Sequence, residues 1–146
     1  MTSISSLSPA VISALPTTVI YNLTTAEIGQ LSSAQIGALT TSQIQVVTTA
    51  NLSVLSTTQM RGLSTSAIEA LTTSQMVFSG AQLAVLNASQ IRAIETTDLD
   101  ALSTAQLAGL TSTEISWLTT TQVRVITTSD LSTLSTTQIR GLTTTQ

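Results

Sequence analysis

An eight-residue repeat runs through nearly the whole 146-residue chain and constrains its fold more than any other feature. The consensus of one unit is L-[S/T]-T-x-Q-I-x-x, as in LSSAQIGA at residues 31–38. Seventeen units and a five-residue stub run from Leu7 to Gln146, and the unit that begins at Leu71 is one residue short. Position 1 is large and apolar in every unit, and so is position 6 wherever a unit reaches it. Such a fixed period predicts one small structural element that stacks upon itself.

Two regular secondary structures do not accommodate this period. In a continuous α-helix the apolar stripe would drift by about 80° in each unit and would wrap around the helix axis. A half-buried strand would place positions 1 and 6 on opposite faces, because successive side chains alternate. A β-solenoid with corners inside each unit stays open as an alternative.

A short helix that restarts in every unit explains more of the pattern. Ser or Thr fills position 2 in fifteen of eighteen units, and Gln or Glu fills position 5 in eleven of the seventeen complete units. With position 2 as the N-cap, these two positions form a capping box, and positions 1 and 6 form the accompanying hydrophobic staple. In the first unit, Pro9 falls at the first helical position, where its missing N–H is not needed. The pattern therefore predicts a helix from position 3 to about position 8 of each unit.

Helices of six residues do not stand alone in water, since helix nucleation is costly. Stacking must therefore bury positions 1 and 6 of all units in one continuous core. We expect an all-α fold, an α-solenoid or superhelix with one short capped helix per eight residues. Residues 1–6 form an N-terminal lead, and residues 7–146 form a single solenoid of seventeen repeats and a partial repeat.

Composition removes many kinds of active site. The chain has four Arg, seven acidic residues, and no Lys, His or Cys. This excludes histidine and cysteine metal ligands, the cysteine nucleophile and the Ser-His-Asp triad. The acidic side chains have no basic or nucleophilic partner at a recognisable spacing. We expect no enzyme activity, no catalytic, cofactor-binding or metal-ligating residue, and no cofactor.

The same composition limits the partners. A pI near 4.4 with only four Arg disfavours nucleic acid, which is bound through many cations. The longest apolar runs, such as residues 76–78, are far shorter than the ~20 residues of a membrane-spanning helix. The first residues, MTSISS, carry neither a basic segment nor an apolar stretch, so we expect no secretory signal peptide in this chain.

The charges follow a longer period. Arg occurs only at position 7, three of the four Arg recur every four units, and five of the seven acids fall one unit after these three. With four helices per superhelical turn, a basic row would stack beside an acidic row, and Arg92 could pair with Asp100. A two-helix turn also fits, and duplication of a 32-residue cassette without structural meaning is the alternative. The residues are Arg61, Arg92, Arg124 and Arg140, and Glu69, Glu95, Asp98, Asp100 and Asp130.

Single departures from the consensus receive structural interpretations. Gly at position 8, as in Gly62, is typical of a helix C-terminus. Trp117 and Tyr21 are predicted to pack at the rim of the core rather than to anchor a ligand. The short unit at residues 71–77 indicates either a kink or a tolerated deletion.

The octapeptide resembles the repeat tracts of very large bacterial secreted and cell-surface proteins. The similarity covers residues 7–146 and departs mainly at Val11, Val19 and Ala67, which stand in place of Gln. It implies an extended spacer or adhesin-like stalk outside a bacterial cell, and it supplies no ligand or active site.

Two classes of function follow. The first is a structural repeat protein without catalytic activity, a spacer, a stalk or a self-assembling filament- or layer-forming element whose partner is itself. The repetition of one face along a rod favours contacts between copies. The alternative is a binding module that uses the Thr array or a groove, as in ice binding or adhesin-type binding. It depends on Thr at position 3 in thirteen of eighteen units, and no ligand can be named.

Overall fold

A computed structural model describes residues 3–146, in which every complete octapeptide but one contains a short α-helix. The exception is the short unit, which contains a 3₁₀-helix. The α-helices of the described residues are α1 Pro9–Ala14, α2 Thr17–Tyr21, α3 Thr25–Gly29, α4 Ser33–Gly37, α5 Thr41–Ile44, α6 Thr49–Ser53, α7 Thr57–Gly62, α8 Thr65–Glu69, α9 Gly80–Leu83, α10 Ala88–Arg92, α11 Thr96–Asp100, α12 Thr104–Ala108, α13 Ser112–Trp117, α14 Thr120–Val125, α15 Thr128–Thr133 and α16 Thr136–Ile139. A second 3₁₀-helix, Ile4–Ser6, lies in the predicted lead, of which residues 1 and 2 lie outside the described part. The all-helical prediction is confirmed.

Every helix begins at position 3, and the capping box forms as predicted. In α4 the backbone N–H of Gln35 donates to Ser32 Oγ at 3.2 Å, and Gln35 Oε1 accepts from the Ser32 N–H at 2.8 Å. The position-1 residues between units have extended or near-extended backbone, and no residue of the described chain has a positive φ. Pro16 and Glu95, which break the Ser/Thr rule, occupy N-caps without a side-chain hydrogen bond. The side chain at position 2 therefore caps most of the helices, while α2 and α11 begin at position 3 without a side-chain cap.

The units wind into a superhelix in which each helix packs on the helix three units later. The pairs α1 with α4, α4 with α7 and α11 with α14 are examples. Hydrogen bonds from position 5 reach 28 and 31 residues back, as from Gln59 to Leu31 and Ile28. One turn therefore holds between three and four units, so neither a two-helix nor a four-helix turn describes it fully. Arg61, Arg92 and Arg124, which are four units apart, therefore do not stack in a straight row.

Positions 1 and 6 fill the inside of the superhelix. Ile12, Ile20, Leu52 and Ile91 have no exposed surface, and the buried position-1 and position-6 side chains join in one continuous cluster from residue 12 to residue 118. The part of the chain that the structure describes contains no detectable pocket. The solenoid is thus a filled rod whose packed axis replaces the core of a globular domain.

The missing residue of the short unit, residues 71–77, changes the backbone only within that unit. Its helix shrinks to the 3₁₀-helix Thr73–Gln75, and the Val77 N–H closes a tight turn on the carbonyl of Gln75 at 2.8 Å. Met76 and Phe78 still reach the core. Of the two interpretations, the tolerated deletion fits this geometry, because the lost residue is removed from the helix and not from the stack.

Position-8 glycines let neighbouring turns approach closely. A Cβ built on Gly62 would lie 2.8 Å from both Cα and the carbonyl carbon of Ser33 in the turn below. The position-8 residue Gly109 is equally close to another turn, because a Cβ built on Gly80, at position 3 of its unit, would lie 2.7 Å from Cα of Gly109. Gly62 ends its helix, as predicted. Its φ is not positive, so the glycine is not needed for a left-handed C-cap. Its main role is therefore the close contact between the two backbones.

None of the helices in residues 3–146 is long and apolar enough to cross a membrane.

Candidate functional site

The most distinctive polar feature of the molecule is a row of buried amide side chains at position 5. Gln59 is an example with 3% of its surface exposed. Its Oε1 accepts from the Ser56 N–H at 2.9 Å, which completes the capping box of α7. Its Nε2 donates to the carbonyls of Ile28 and Leu31, at 2.7 and 2.8 Å, in the preceding turn. One side chain therefore satisfies the start of one helix and the end of another.

This arrangement recurs along the chain. Each member donates to the position-1 carbonyl that follows a helix of the preceding turn, and most also reach the position-6 carbonyl. We call these side chains the glutamine ladder. Its members are Gln35, Gln43, Asn51, Gln59, Gln75, Gln82, Gln90, Gln106, Gln122, Gln138 and Gln146.

The ladder answers a problem that every short helix has. The last carbonyls of a helix lack a partner within it, and a buried carbonyl without a hydrogen bond is destabilising. Here Gln59 donates to the carbonyl of Ile28 in the last turn of α3 and to that of Leu31 in the junction after it, where the extended backbone has no helical partner either. The stack of turns is thus held by buried directional bonds as well as by apolar contact.

The residue pattern of one unit indicates only half of this role for position 5. The capping box explains the side-chain oxygen and fits Glu as well as Gln. Yet nine complete units carry Gln and only two carry Glu. That preference was the available signal, because only the amide can accept from its own cap and also donate to another turn.

The first turn lacks the ladder for a geometric reason. Gln35, the first member, bonds to the carbonyl of Leu7, so earlier units have no described turn beneath them. Those units carry Val11, Val19 and Glu27, and all three side chains are exposed. Glu27 keeps the capping box, and hydrogen bonds from the backbone N–H and then the hydroxyl of Thr24 lower the pKa of its carboxyl from its ordinary value.

Inside the stack, four units carry no amide at position 5, and their residues are Ala67, Asp98, Glu114 and Asp130; Asp98 is the most buried of the three acids. This side chain is 2% exposed, and its Oδ1 accepts from Thr73 Oγ1 at 2.7 Å. Among the buried side-chain atoms of residues 3–146, Asp98 Oδ2 is the one without a hydrogen-bond partner. The neighbouring ladder members Gln90 and Gln106 donate to the carbonyls of Leu63 and Phe78. By the same register, the Leu71 carbonyl corresponds to position 5 of this unit, where a carboxylate has no N–H to donate.

We expect Asp98→Asn to stabilise the protein by about 1–2 kcal/mol. The amide keeps an oxygen for Thr73 and supplies a donor where the carboxylate has none, as Asn51 does for Leu23 at 2.8 Å. Urea unfolding followed by circular dichroism measures the change. Asp100→Asn, on the exposed side of the same helix, is the matched control and should change stability little. An Asp98→Asn midpoint at or below that of the wild type would contradict this account.

The outer surface carries the threonines of position 3, whose side chains we call the hydroxyl array. The position-3 threonines are exposed apart from Thr96, which is half-buried, and position 4 is exposed throughout. Since successive units are distributed around the rod axis, their threonines face different directions. A flat surface would meet only the units that lie on one side of the rod.

The charged residues do not assemble into a site. Arg92 donates from Nε to the carbonyl of Trp117 at 3.1 Å, and this contact takes the place of the suggested pairing with Asp100. Trp117 is half-buried and packs against the core, as predicted, whereas Tyr21 is 59% exposed. Residues 3–146 contain no cluster of three or more acidic side chains placed to hold a metal ion. No catalytic, cofactor-binding or metal-ligating residue was predicted from the sequence, so there is none whose position the structure could report.

Comparison with known proteins identifies the repeat. No curated protein and no solved structure matches the chain significantly. Three segments match the family described as the ALTTAQ repeat, residues 12–49, 47–78 and 91–128, which together span more than two thirds of the chain. The matched segments include Gln35, Gln59 and Gln122, so they contain members of the ladder as well as caps. The chain belongs to the ALTTAQ repeat family.

Proposed function

We propose that the chain is a non-catalytic structural spacer, a stiff rod that holds the parts it joins at a fixed separation. The observation that carries this proposal is the glutamine ladder, which bonds each turn to the turn below it through buried side chains. Residues 3–146 have a filled axis and no pocket, so their architecture favours mechanical connection over enclosure of a ligand.

The dimensions support a rod that is short and thick. Packed helices lie about 8–10 Å apart, so roughly five turns give a length on the order of 45 Å. That is roughly 0.3 Å per residue, against about 1.5 Å in a single α-helix. Such a design favours stiffness over reach, because each cross-section contains several helices instead of one.

The proposed location is outside a bacterial cell or at its surface. The support is the resemblance of the octapeptide to the repeat tracts of secreted and cell-surface bacterial proteins. The lack of Cys and Lys suits a material exposed to oxidants and proteases. Lateral association between copies stays a prediction, which light scattering over a range of concentrations tests.

A paired-label measurement tests the stiffness of the rod. Because the chain has no native Cys, Ser42→Cys and Thr137→Cys place two spin labels on exposed position-4 sites several turns apart. We expect one narrow distance distribution. Gln90→Glu removes a hydrogen bond of the ladder between the two labels and should broaden the distance distribution. Gln45→Glu, on the surface, should leave the distribution unchanged. A wild-type distribution as broad as that of an unstructured chain would contradict the spacer proposal.

The exposed threonines favour a second candidate, binding through the hydroxyl array. Their regular recurrence supports ice or a polar surface as the target, while their distribution around the rod reduces the number that one flat face can engage. Thermal hysteresis of the purified protein separates the two proposals. A measurable hysteresis that is lost when the position-3 threonines on one side are replaced by Val would favour binding.

A further inference from the structure

The unit at residues 94–101 departs from the repeat at both positions of the capping box. Glu95 fills position 2 and makes no side-chain hydrogen bond as the N-cap of α11. Asp98 fills position 5, and its Oδ1 accepts from Thr73 Oγ1 in another turn at 2.7 Å instead of capping its own helix. The acids Glu114 and Asp130, at position 5 of other units, keep their capping boxes. Asp98 is therefore the acid at this position that has no part in starting its helix.

By its register, Asp98 occupies the place of an amide that donates to two carbonyls. Gln90, one unit earlier, donates to carbonyls 30 and 27 residues back along the chain. The same intervals from Asp98 lead to the carbonyls of Ile68 and Leu71. The carboxylate is 2% exposed, and its Oδ2 has no hydrogen-bond partner. This buried position therefore combines acceptors from two turns and lacks the donor that the ladder supplies elsewhere.

The charge of Asp98 is not balanced by a nearby Arg. Arg92, on the preceding helix, is exposed, and its Nε donates to a backbone carbonyl at 3.1 Å. Arg124, on the helix that packs against α11, is exposed as well. Glu95 and Asp100, in the same unit as Asp98, are exposed acids that add negative charge. Since a buried carboxylate without a counter-charge is costly, this position favours a cation from solution.

The ligand atoms select the kind of cation. A carboxylate, backbone carbonyls and a hydroxyl suit hard cations, whereas many transition metals prefer nitrogen or sulfur. Mg²⁺ keeps several of its waters and Ca²⁺ takes about 6–8 oxygen ligands. The described part of the chain has no detectable pocket to hold such a shell. One carboxylate balances one positive charge, so a monovalent ion leaves no net charge in the core.

We infer that Asp98, Thr73 and the carbonyls of Ile68 and Leu71 form a binding site for one sodium ion. The ion takes the role that the amide group has elsewhere in the ladder, as the positive partner of carbonyls in the turn below. Thr73 belongs to the short unit, so the ion joins α11 to the one complete repeat whose helix is 3₁₀. Thr73 is exposed while Asp98 is buried, which gives the ion a path from the surface. The site does not depend on the spacer function.

Thermal unfolding of the full chain in chloride salts of equal ionic strength tests this site. We expect NaCl to raise the midpoint by roughly 2–4 °C relative to choline chloride and the effect to saturate, because the ion binds only the folded state. The sodium NMR signal should broaden when the protein is added. Asp98→Asn should abolish both effects, since the amide supplies its own donor and carries no charge. Its stability gain over the wild type should be largest in choline chloride and should shrink in NaCl.

Matched variants separate a specific site from a general effect of salt. Asp100→Asn removes the same charge from the exposed side of α11 and should keep the sodium response. Thr73→Val removes one ligand and should raise the sodium concentration for half of the effect several-fold, whereas Thr73→Ser should leave it nearly unchanged.

Three outcomes would overturn the inference. They are equal midpoints in NaCl and choline chloride, a sodium response that survives Asp98→Asn, and loss of the response in Asp100→Asn. A midpoint that CaCl₂ raises and NaCl does not would overturn the assignment of sodium as the ion.

Discussion

Replacing Gln59 by Glu should destabilise the protein by about 2–4 kcal/mol. The variant keeps the oxygen that caps α7, so the local helix signal is intact. It loses the amide that donates to Ile28 and Leu31 and sets a buried carboxylate against both carbonyls. Chemical unfolding monitored by circular dichroism measures the loss.

The first turn provides a matched control for this substitution. Glu27→Gln makes the reverse change at the same position of another unit, where no described turn lies beneath. Its expected effect is within a few tenths of a kcal/mol, because the capping box accepts either side chain. If Gln59→Glu were equally neutral, the ladder would not contribute to stability, and position 5 would serve only its own helix.

A methyl group on Gly62 should destabilise the fold by about 3 kcal/mol. In Gly62→Ala the new Cβ would lie 2.8 Å from Cα and the carbonyl carbon of Ser33, and neither atom belongs to a side chain that can rotate away. The contact between α4 and α7 would have to open. The unfolding midpoint and the amide exchange rates of both helices measure this effect.

Gly29 is the control for that experiment. No atom outside its local backbone lies within 4 Å of a Cβ built there, so Gly29→Ala should stabilise slightly through its helix preference, by up to about 1 kcal/mol. Equal effects of the two substitutions would contradict the assignment of Gly62 to a close approach between turns.

Local features of the fold could be predicted because they depend on neighbours within one unit. The hydroxyl of Ser32 and the side chain of Gln35 are three residues apart, and Leu31 and Ile36 are five apart. Their residue types therefore indicate the cap, the box and the buried pair without reference to other units. The same reasoning held at Pro9, which lies at the first position of α1.

The candidate site was harder to predict because its contacts join distant units. The bond from Gln59 to Leu31 crosses 28 residues, and every unit offers a similar Leu as an acceptor. The charge pattern pointed to four units per turn, yet Arg92 bonds to Trp117, 25 residues away. Arg and acidic side chains on an exposed surface contribute little energy, so their period does not set the winding.

By itself, the sequence determined where each helix begins, which two side chains of each unit are buried, and that the chain forms a stacked helical rod. Those outcomes rest on short-range contacts that each octapeptide repeats. The tertiary structure alone decided how many units complete a turn, which carbonyl each amide reaches and why Gly62 has no side chain. In a repeat, many inter-turn registers present the same residue types to one another. Only the packing of backbones at close range selects one register among them.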